Sequence, residues 1–209
     1  MSGRRRRDGG KPAARSGEQA RARVAVEAAR IMAEEGVRDF QVAKRKAVAR
    51  LNFSQTRDLP TNEEIDAALA DHLQLFHGAR VAHNARRLRT IAAQAMSFLA
   101  DFEPRLVGPV LAGTVTPESQ IQLHVSADTP EQVGLFLHEH GIPYRMGERR
   151  IRFGGDRYEN VSTYEFVADG ATIELCVFDP RSVRETPLSP VDGRPMRRAA
   201  LRDVERLLD

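Results

Sequence analysis

Residues 161–178, VSTYEFVADGATIELCVF, predict a β-hairpin and with it the class of the fold. Two runs rich in β-branched and aromatic residues, 161–168 and 171–178, flank Asp169-Gly170. This dipeptide favours a tight type I′ turn, because both central residues of such a turn need a positive φ. We therefore expect two neighbouring antiparallel strands in the C-terminal half of the chain.

Other strands and a helix are predicted around this hairpin. Residues 106–112 and 121–125 are apolar runs of strand length, and residues 149–153 alternate charged and apolar side chains. Thr129-Pro130-Glu131 is typical of a helix start, and Gly141 would end that helix. A loop and a short helix from about Ala200 follow. The pattern indicates mixed helix and strand structure after Pro104.

The N-terminal half of the chain predicts helices only. Apolar residues recur at helical spacing from Ser16 onward, with Gly36 as the exit residue of the first helix. Thr61 and Glu64 fit a capping box, in which each residue satisfies a backbone amide of the other. Gly78 is the expected end of the helix that they begin. The expected helices cover residues 16–36, 39–51, 61–78 and 81–102.

The charge is distributed unevenly. Residues 1–17 carry six basic residues against Asp8, a net charge of +5, whereas the whole chain has +3 and residues 18–209 therefore sum to −2. We expect a disordered basic tail that can bind nucleic acid or acidic surfaces through counterion release. The predicted organisation is a tail over 1–17, a helical segment over 18–80 and an α+β domain over 81–209.

The composition also bears on the cellular compartment. Cys176 is the sole cysteine and lies in an apolar run, so it cannot form an internal disulfide and is expected to fill the core. No stretch approaches the ~18 apolar residues of a membrane span. The basic run at residues 4–7 is not followed by the apolar region of a secretory signal. We expect a cytoplasmic protein with no membrane partner.

A resemblance emerges in residues 81–180. The predicted helix at 81–102 leads into the strand at 106–112, then Gly113-Thr114, and then Ser119-Gln120-Ile121-Gln122-Leu123. This order resembles the DNA polymerase β-like nucleotidyltransferase superfamily. In that superfamily a strand ends in Gly-Ser, a turn leads to a strand of the form Asp-hydrophobic-Asp, and a third carboxylate lies on a later neighbouring strand. The resemblance implies an α+β fold with a nucleotidyltransferase-like mixed sheet and flanking helices.

The resemblance also implies a site. The expected nucleotide contacts are Gly113, Thr114, Ser119, Gln120 and Gln122, and Glu174 matches the third, catalytic carboxylate. Gln120 and Gln122 stand where the superfamily has acids. Two Mg²⁺ ions, held by converging carboxylates, drive nucleotidyl transfer in such enzymes. Because glutamine carries no negative charge, we predict no metal site, and Mg²⁺ is expected only if the protein is an active enzyme.

Arginines provide a second set of candidate binding residues. Guanidinium groups suit bidentate contacts with phosphate or carboxylate. Arg149 and Arg197 are the expected contacts for a nucleotide or other polyanion, although a sheet face balanced by neighbouring acids would give the same pattern. These arginines form two clusters in the sequence. The first, around the expected strand at 149–153, is Arg145, Arg149, Arg150 and Arg152, and the second, in the C-terminal loop, is Arg194, Arg197 and Arg198.

Three functions follow from these patterns. The first is a nucleotidyltransferase-like protein with an inactive core that serves as a nucleotide- or polyanion-binding or regulatory module. The second is an active metal-dependent nucleotidyltransferase acting on an unknown acceptor, with Glu174 and Thr114 retained. The third is a DNA-binding regulator. Residues 24–51 resemble the DNA-binding head of tetracycline-repressor-type regulators, with Lys44, Arg45, Lys46 and Arg50 on the second helix of a helix-turn-helix entry.

Overall fold

A computed structural model describes residues 11–53, 59–180 and 185–209, and these residues form an α+β fold. A helical N-terminal segment precedes a five-stranded mixed sheet with interspersed helices. The helices in the described residues are α1 (Lys11–Glu35), α2 (Phe40–Arg50), α3 (Asn62–Phe98), α4 (Gly108–Ala112), α5 (Pro130–Glu139) and α6 (Leu201–Glu205). The strands are β1 (Arg105–Val107), β2 (Ile121–Ser126), β3 (Arg145–Arg152), β4 (Tyr158–Ala168) and β5 (Ala171–Phe178).

The chain divides into two compact units, Met1–His72 and Leu73–Asp209. In the first unit, Gly36 has a φ of 67° at the end of α1, as predicted. The Asp39 side chain caps α2 by accepting a hydrogen bond from the Val42 amide at 2.8 Å. The predicted start of α1 at Ser16 is wrong, since the helix already begins at Lys11. Strong helix formers at residues 13–15 allow this extension.

Helix α3 begins as predicted but ends elsewhere. The capping box is confirmed, because the Thr61 amide donates to Glu64 Oε2 at 2.6 Å and the Glu64 amide donates to Thr61 Oγ1 at 3.2 Å. The predicted break at Gly78 is wrong, since α3 continues unbroken to Phe98. An interior glycine costs a helix only about 1 kcal/mol. The side chains of Leu73 and Leu88, which precede and follow Gly78 in α3, are buried and stabilise the helix. The predicted domain boundary after residue 80 falls inside α3.

The sheet has the strand order β1-β2-β5-β4-β3. Strands β2 and β5 are parallel, and the other neighbours are antiparallel. The predicted hairpin is confirmed, because Asp169 and Gly170 have φ angles of 47° and 71° between β4 and β5. The predicted strand at 121–125, the helix beginning at Thr129-Pro130 and the terminal helix after Ala200 are also present.

One face of the sheet carries the main core of the second unit. Side chains alternate between faces along a strand, so the residues at alternate positions of β2 and β5 pack against α3 and α5. We call the opposite side, which holds Gln122, His124 and Glu174, the second face. The buried residues of the core face include Leu88, Ile91, Met96, Ile121, Leu123, Val125, Val133, Leu137, Ile173 and Leu175.

The predicted strand at 106–112 is wrong beyond Val107. Gly108 has a φ of 71°, in the left-handed region that favours glycine, and it turns the chain out of β1. Pro109 then occupies the first turn of α4, where its missing N–H is no loss. Gly113, with a φ of 87°, ends this short helix and its amide donates to the Pro109 carbonyl at 2.7 Å.

Within residues 11–53, 59–180 and 185–209, no helix combines the length and the apolar character that crossing a bilayer requires.

Replacing Gly78 tests the continuity of α3. Gly78→Ala should raise the free energy of unfolding by about 1 kcal/mol, because alanine favours the helix and the added Cβ meets nothing within 4 Å. Urea denaturation measures the change. Gly108→Ala is the control and should destabilise the protein, since its Cβ would lie 2.5 Å from Gln122 Oε1. A Gly78→Ala variant less stable than the wild type would contradict a continuous helix.

Candidate binding site on the second face of the sheet

The register of the sheet brings two predicted site residues into contact. Gln122 on β2 lies beside Glu174 on the parallel strand β5. The Gln122 amide Nε2 donates a hydrogen bond to Glu174 Oε2 at 3.3 Å. Of the two glutamines, Gln122 is therefore the one that contacts Glu174.

Gln120 meets a different carboxylate. Its amide Nε2 donates to Glu165 Oε2 at 3.0 Å. Glu165 lies on β4, directly opposite Glu174 in the antiparallel register of β4 and β5. Sequence reasoning missed Glu165, because the pairing of two strands decides which side chains meet across them. The alternation within residues 161–168, which places Glu165 on the polar side of the hairpin, was the available signal.

Arg149 completes the contacts of Glu174. Its Nη1 donates to the same oxygen, Oε2, that accepts from Gln122. The Glu174 side chain is only 18% exposed, whereas that of Arg149 is 43% exposed. A carboxylate this poorly hydrated needs a charged or hydrogen-bonding partner, and Arg149 and Gln122 provide both. The three residues form what we call the Gln–Glu–Arg chain.

Three other predicted residues lie in the connection between α4 and β2. The Ser119 hydroxyl accepts from the Thr116 amide at 2.8 Å, and the Thr114 amide donates to the Pro109 carbonyl at 3.1 Å. Gly113 ends α4, close to Arg89. In the described part of the chain, none of the hydrogen bonds of these residues reaches Glu174. Their contacts fix the turn.

The glycine that approaches the second face is Gly108. A Cβ at this position would lie 2.5 Å from Gln122 Oε1, so only glycine lets the Gln122 side chain occupy its place. Gly108-Pro109 follows the end of β1, the place at which Gly113-Thr114 was expected. Pro109 has neither a hydroxyl nor an N–H to offer a phosphate. The Gly-Pro dipeptide, a strong turn signal, could have located the end of the strand.

His124 is a buried residue of the second face that has arginines nearby. The ring is 5% exposed and packs against Phe178 with a centroid distance of 4.7 Å. Its Nδ1 is buried without a hydrogen-bond partner among the described residues. Burial, and then the charges of Arg198 and Arg149, lower the pKa of His124 from 6.5 to about 3. The imidazole is therefore neutral at physiological pH.

Within the C-terminal arginine cluster, Arg198 rather than Arg197 acts on His124. The Arg198 guanidinium donates to Thr186 Oγ1 at 2.8 Å, whereas Arg197 is exposed. Burial, and then the charge of Arg105, lower the pKa of Arg198. Arg105 thus lies near Arg198, and both Arg198 and Arg149 lie near His124. We call these three arginines, Arg105, Arg149 and Arg198, the arginine trio.

Cys176 does not act with His124 as a reactive pair. The two residues are neighbours in the parallel register of β2 and β5. Burial, and then the charge of Glu174, raise the pKa of the Cys176 thiol to about 12. A protonated thiol beside a neutral imidazole is not a nucleophile. Cys176 instead belongs to a small apolar cluster with Ile151, Phe153, Val161 and Phe178.

The acids of the second face are Glu165 and Glu174. Across the described ranges, no group of three or more His, Cys, Asp or Glu residues could hold a metal ion. Glu165 and Glu174 each accept a hydrogen bond from a glutamine amide nitrogen. A hard cation needs converging oxygen ligands with negative charge, which this donor set does not supply.

The basic residues proposed to contact DNA are largely engaged within the first unit. Lys46 pairs with Glu35 at 2.9 Å, and Arg50 pairs with Glu35 at 2.6 Å. Lys44 is 8% exposed, and burial lowers its pKa. Arg45 is exposed. Two of these four basic residues, Lys46 and Arg50, therefore pair with acids of α1, while residues 1–10 of the predicted basic tail lie outside the described residues.

Comparisons with models of known protein families, with curated proteins and with solved structures found no match to the chain.

The neutral His124 predicts an acid-dependent loss of stability. In the unfolded chain the imidazole binds a proton near its ordinary pKa of 6.5, whereas in the folded protein it does so only near about 3. The unfolded state then holds more protons within this interval, so the free energy of unfolding falls as the pH drops from about 6.5 towards 3. His124→Leu should remove this contribution.

Urea denaturation at several pH values measures the effect as a difference in slope between the variant and the wild type. His138→Leu is the matched control, because it makes the same substitution at an exposed position. Equal slopes for the wild type and His124→Leu would contradict a buried neutral histidine.

Proposed function

We propose that the protein is a nucleotidyltransferase-like module with an inactive core, which binds a nucleotide or other polyanion without a metal ion. The observation that carries this proposal is the Gln–Glu–Arg chain. In it, the carboxylate expected to serve catalysis instead accepts hydrogen bonds from an amide and a guanidinium.

The order of the structural elements supports the scaffold part of the proposal. Helix α3 leads into β1, a glycine turn and the short helix α4 follow, and β2 then presents Gln120 and Gln122. Strand β5 lies beside β2 and presents Glu174. This arrangement supports the proposal, since the resemblance expects the third carboxylate on a strand that neighbours the Asp-hydrophobic-Asp strand.

The charges of the site favour binding over catalysis. Two-metal nucleotidyl transfer needs several carboxylates to hold the cations. Gln120 and Gln122 carry no charge, and the negative charge of Glu174 is balanced by Arg149. Beyond Arg149, the arginine trio adds Arg105 and Arg198, whose guanidinium groups suit phosphate oxygens because they form bidentate hydrogen bonds with them.

Nucleotide binding in the absence of metal tests the proposal directly. Isothermal titration calorimetry with ATP in EDTA should detect binding to the wild type. Arg198→Ala should weaken it by about tenfold, the loss expected for one charge-assisted hydrogen bond. Arg197→Ala is the matched control, because it removes the same charge from the adjacent, exposed position.

Three results would contradict the proposal. They are the absence of ATP binding, binding that appears only with Mg²⁺, and equal losses in Arg198→Ala and Arg197→Ala. Mg²⁺-dependent binding together with nucleotidyl transfer would instead support the active enzyme.

Restoring two acids tests the placement of the glutamines. Gln120→Asp combined with Gln122→Asp puts new carboxylates beside Glu165 and Glu174, and their mutual repulsion should lower the melting temperature. Added Mn²⁺ or Mg²⁺ should raise it again, because the four acids then form a cation site. Thermal denaturation measures both effects.

The control for this experiment is Gln120→Asn combined with Gln122→Asn, which shortens the side chains equally without adding charge. If both double variants melt alike and neither responds to divalent cations, the four positions do not converge.

A further inference from the structure

Strand β3 is an edge strand of the sheet with an open side. The strand order leaves β1 and β3 at the two edges. The β1 edge is covered, because Leu106 and Ala199 exchange two backbone hydrogen bonds of 2.9 Å each. Strand β3 is paired with β4 on one side, and seven of its eight residues are exposed, the exception being Ile151.

The hydrogen-bond pattern shows which backbone groups point away from β4. Antiparallel partners alternate between hydrogen-bonded and non-hydrogen-bonded pairs. The register from Arg145 to Arg152 is unbroken, and the Phe153 amide donates to the Arg157 carbonyl at 2.8 Å. Hydrogen-bonded pairs with β4 therefore fall at the odd-numbered residues of β3, and the N–H and C=O groups of the even-numbered residues point outward.

The chain itself uses one of these outward groups. The Arg152 carbonyl accepts from the Leu188 amide at 2.8 Å, as this alternation requires. Along the rest of the edge, no backbone hydrogen bond from the described residues reaches the outward groups of Met146, Glu148 or Arg150. These three residues, at every second position of β3, thus offer a row of backbone donors and acceptors to another strand.

The charge on β3 selects the partner. The strand carries four arginines and one glutamate, a net charge of +3. The guanidinium of Arg150 lies over the Tyr158 ring at 4.3 Å, whereas Arg149 lies on the second face with Glu174. Since the side chains of an added strand alternate between faces, carboxylates at every second position would reach the arginines of one face. A second copy of β3 would bring like charges together, which opposes self-association.

We propose that β3 accepts an extended acidic segment of a partner protein as a sixth strand of the sheet. Main-chain hydrogen bonds to Met146, Glu148 and Arg150 would supply affinity, and the arginines would select for carboxylates, as in strand addition generally. This proposal does not rest on nucleotide binding, and Arg149 is the residue that the two surfaces share.

A labelled peptide of eight residues, alternating Glu and Val, tests the interface with the full chain. Fluorescence anisotropy should show saturable binding to the wild type that weakens with salt. The same peptide with alternate amides N-methylated should not bind, because it cannot complete the main-chain hydrogen bonds. A peptide with Lys in place of Glu should not bind either.

Variants of Glu148 separate the backbone from the charge. Glu148→Pro removes an outward N–H without touching the bonds to β4 and should weaken peptide binding by about tenfold. Glu148→Ala, the matched control, keeps the N–H and should bind at least as well as the wild type. Circular dichroism checks that both variants fold. If Glu148→Pro does not fold, the N-methylated peptide tests whether binding needs the main-chain hydrogen bonds.

Three results would overturn the proposal. They are no binding of the Glu-Val peptide, equal binding of the N-methylated peptide, and a wild-type dimer in sedimentation that Glu148→Pro dissociates. The second result would indicate charge attraction alone, and the third would assign the edge to a second copy of the chain.

Discussion

The hydrogen bond from Gln122 to Glu174 is the interaction on which the charge balance of the second face depends. It joins parallel strands β2 and β5 at a position where two acids would repel each other unless a cation lay between them. With an amide on one side, the remaining carboxylate is satisfied within the protein, and Arg149 balances its charge. Gly108 makes the arrangement possible, because a side chain there would displace Gln122.

This neutralisation changes what the surface can bind. A face with several uncompensated acids attracts divalent cations, whereas this face has acids that are already hydrogen-bonded and arginines beside a neutral histidine. Arg105 and Arg198 are held near each other despite their like charges, which lowers the pKa of Arg198 further than burial alone would. An anion between them would relieve that repulsion, which is the physical reason for expecting a phosphate-bearing ligand.

Local sequence chemistry predicted much of the fold, and the errors have physical causes. Asp169-Gly170 located the hairpin, because a turn of two positive-φ residues is specified by the dipeptide itself. Gly78 did not end its helix, since packing on both sides outweighs the weak helix propensity of one glycine. The site was predicted in part. Gln122 and Glu174 follow from the resemblance, whereas the roles of Glu165 and Arg198 depend on strand register and on the path of the C-terminal loop, which no local pattern encodes.

The carboxylates of the second face accept hydrogen bonds within the protein, and we predict that they do not hold a metal ion. Nuclear magnetic resonance of the wild-type protein with a trace of Mn²⁺ tests it most directly, because a bound paramagnetic ion broadens nearby signals. The side-chain amide signals of Gln120 and Gln122 report on this location. The account predicts that they stay as sharp as those of surface glutamines. Selective broadening of the two signals would contradict it.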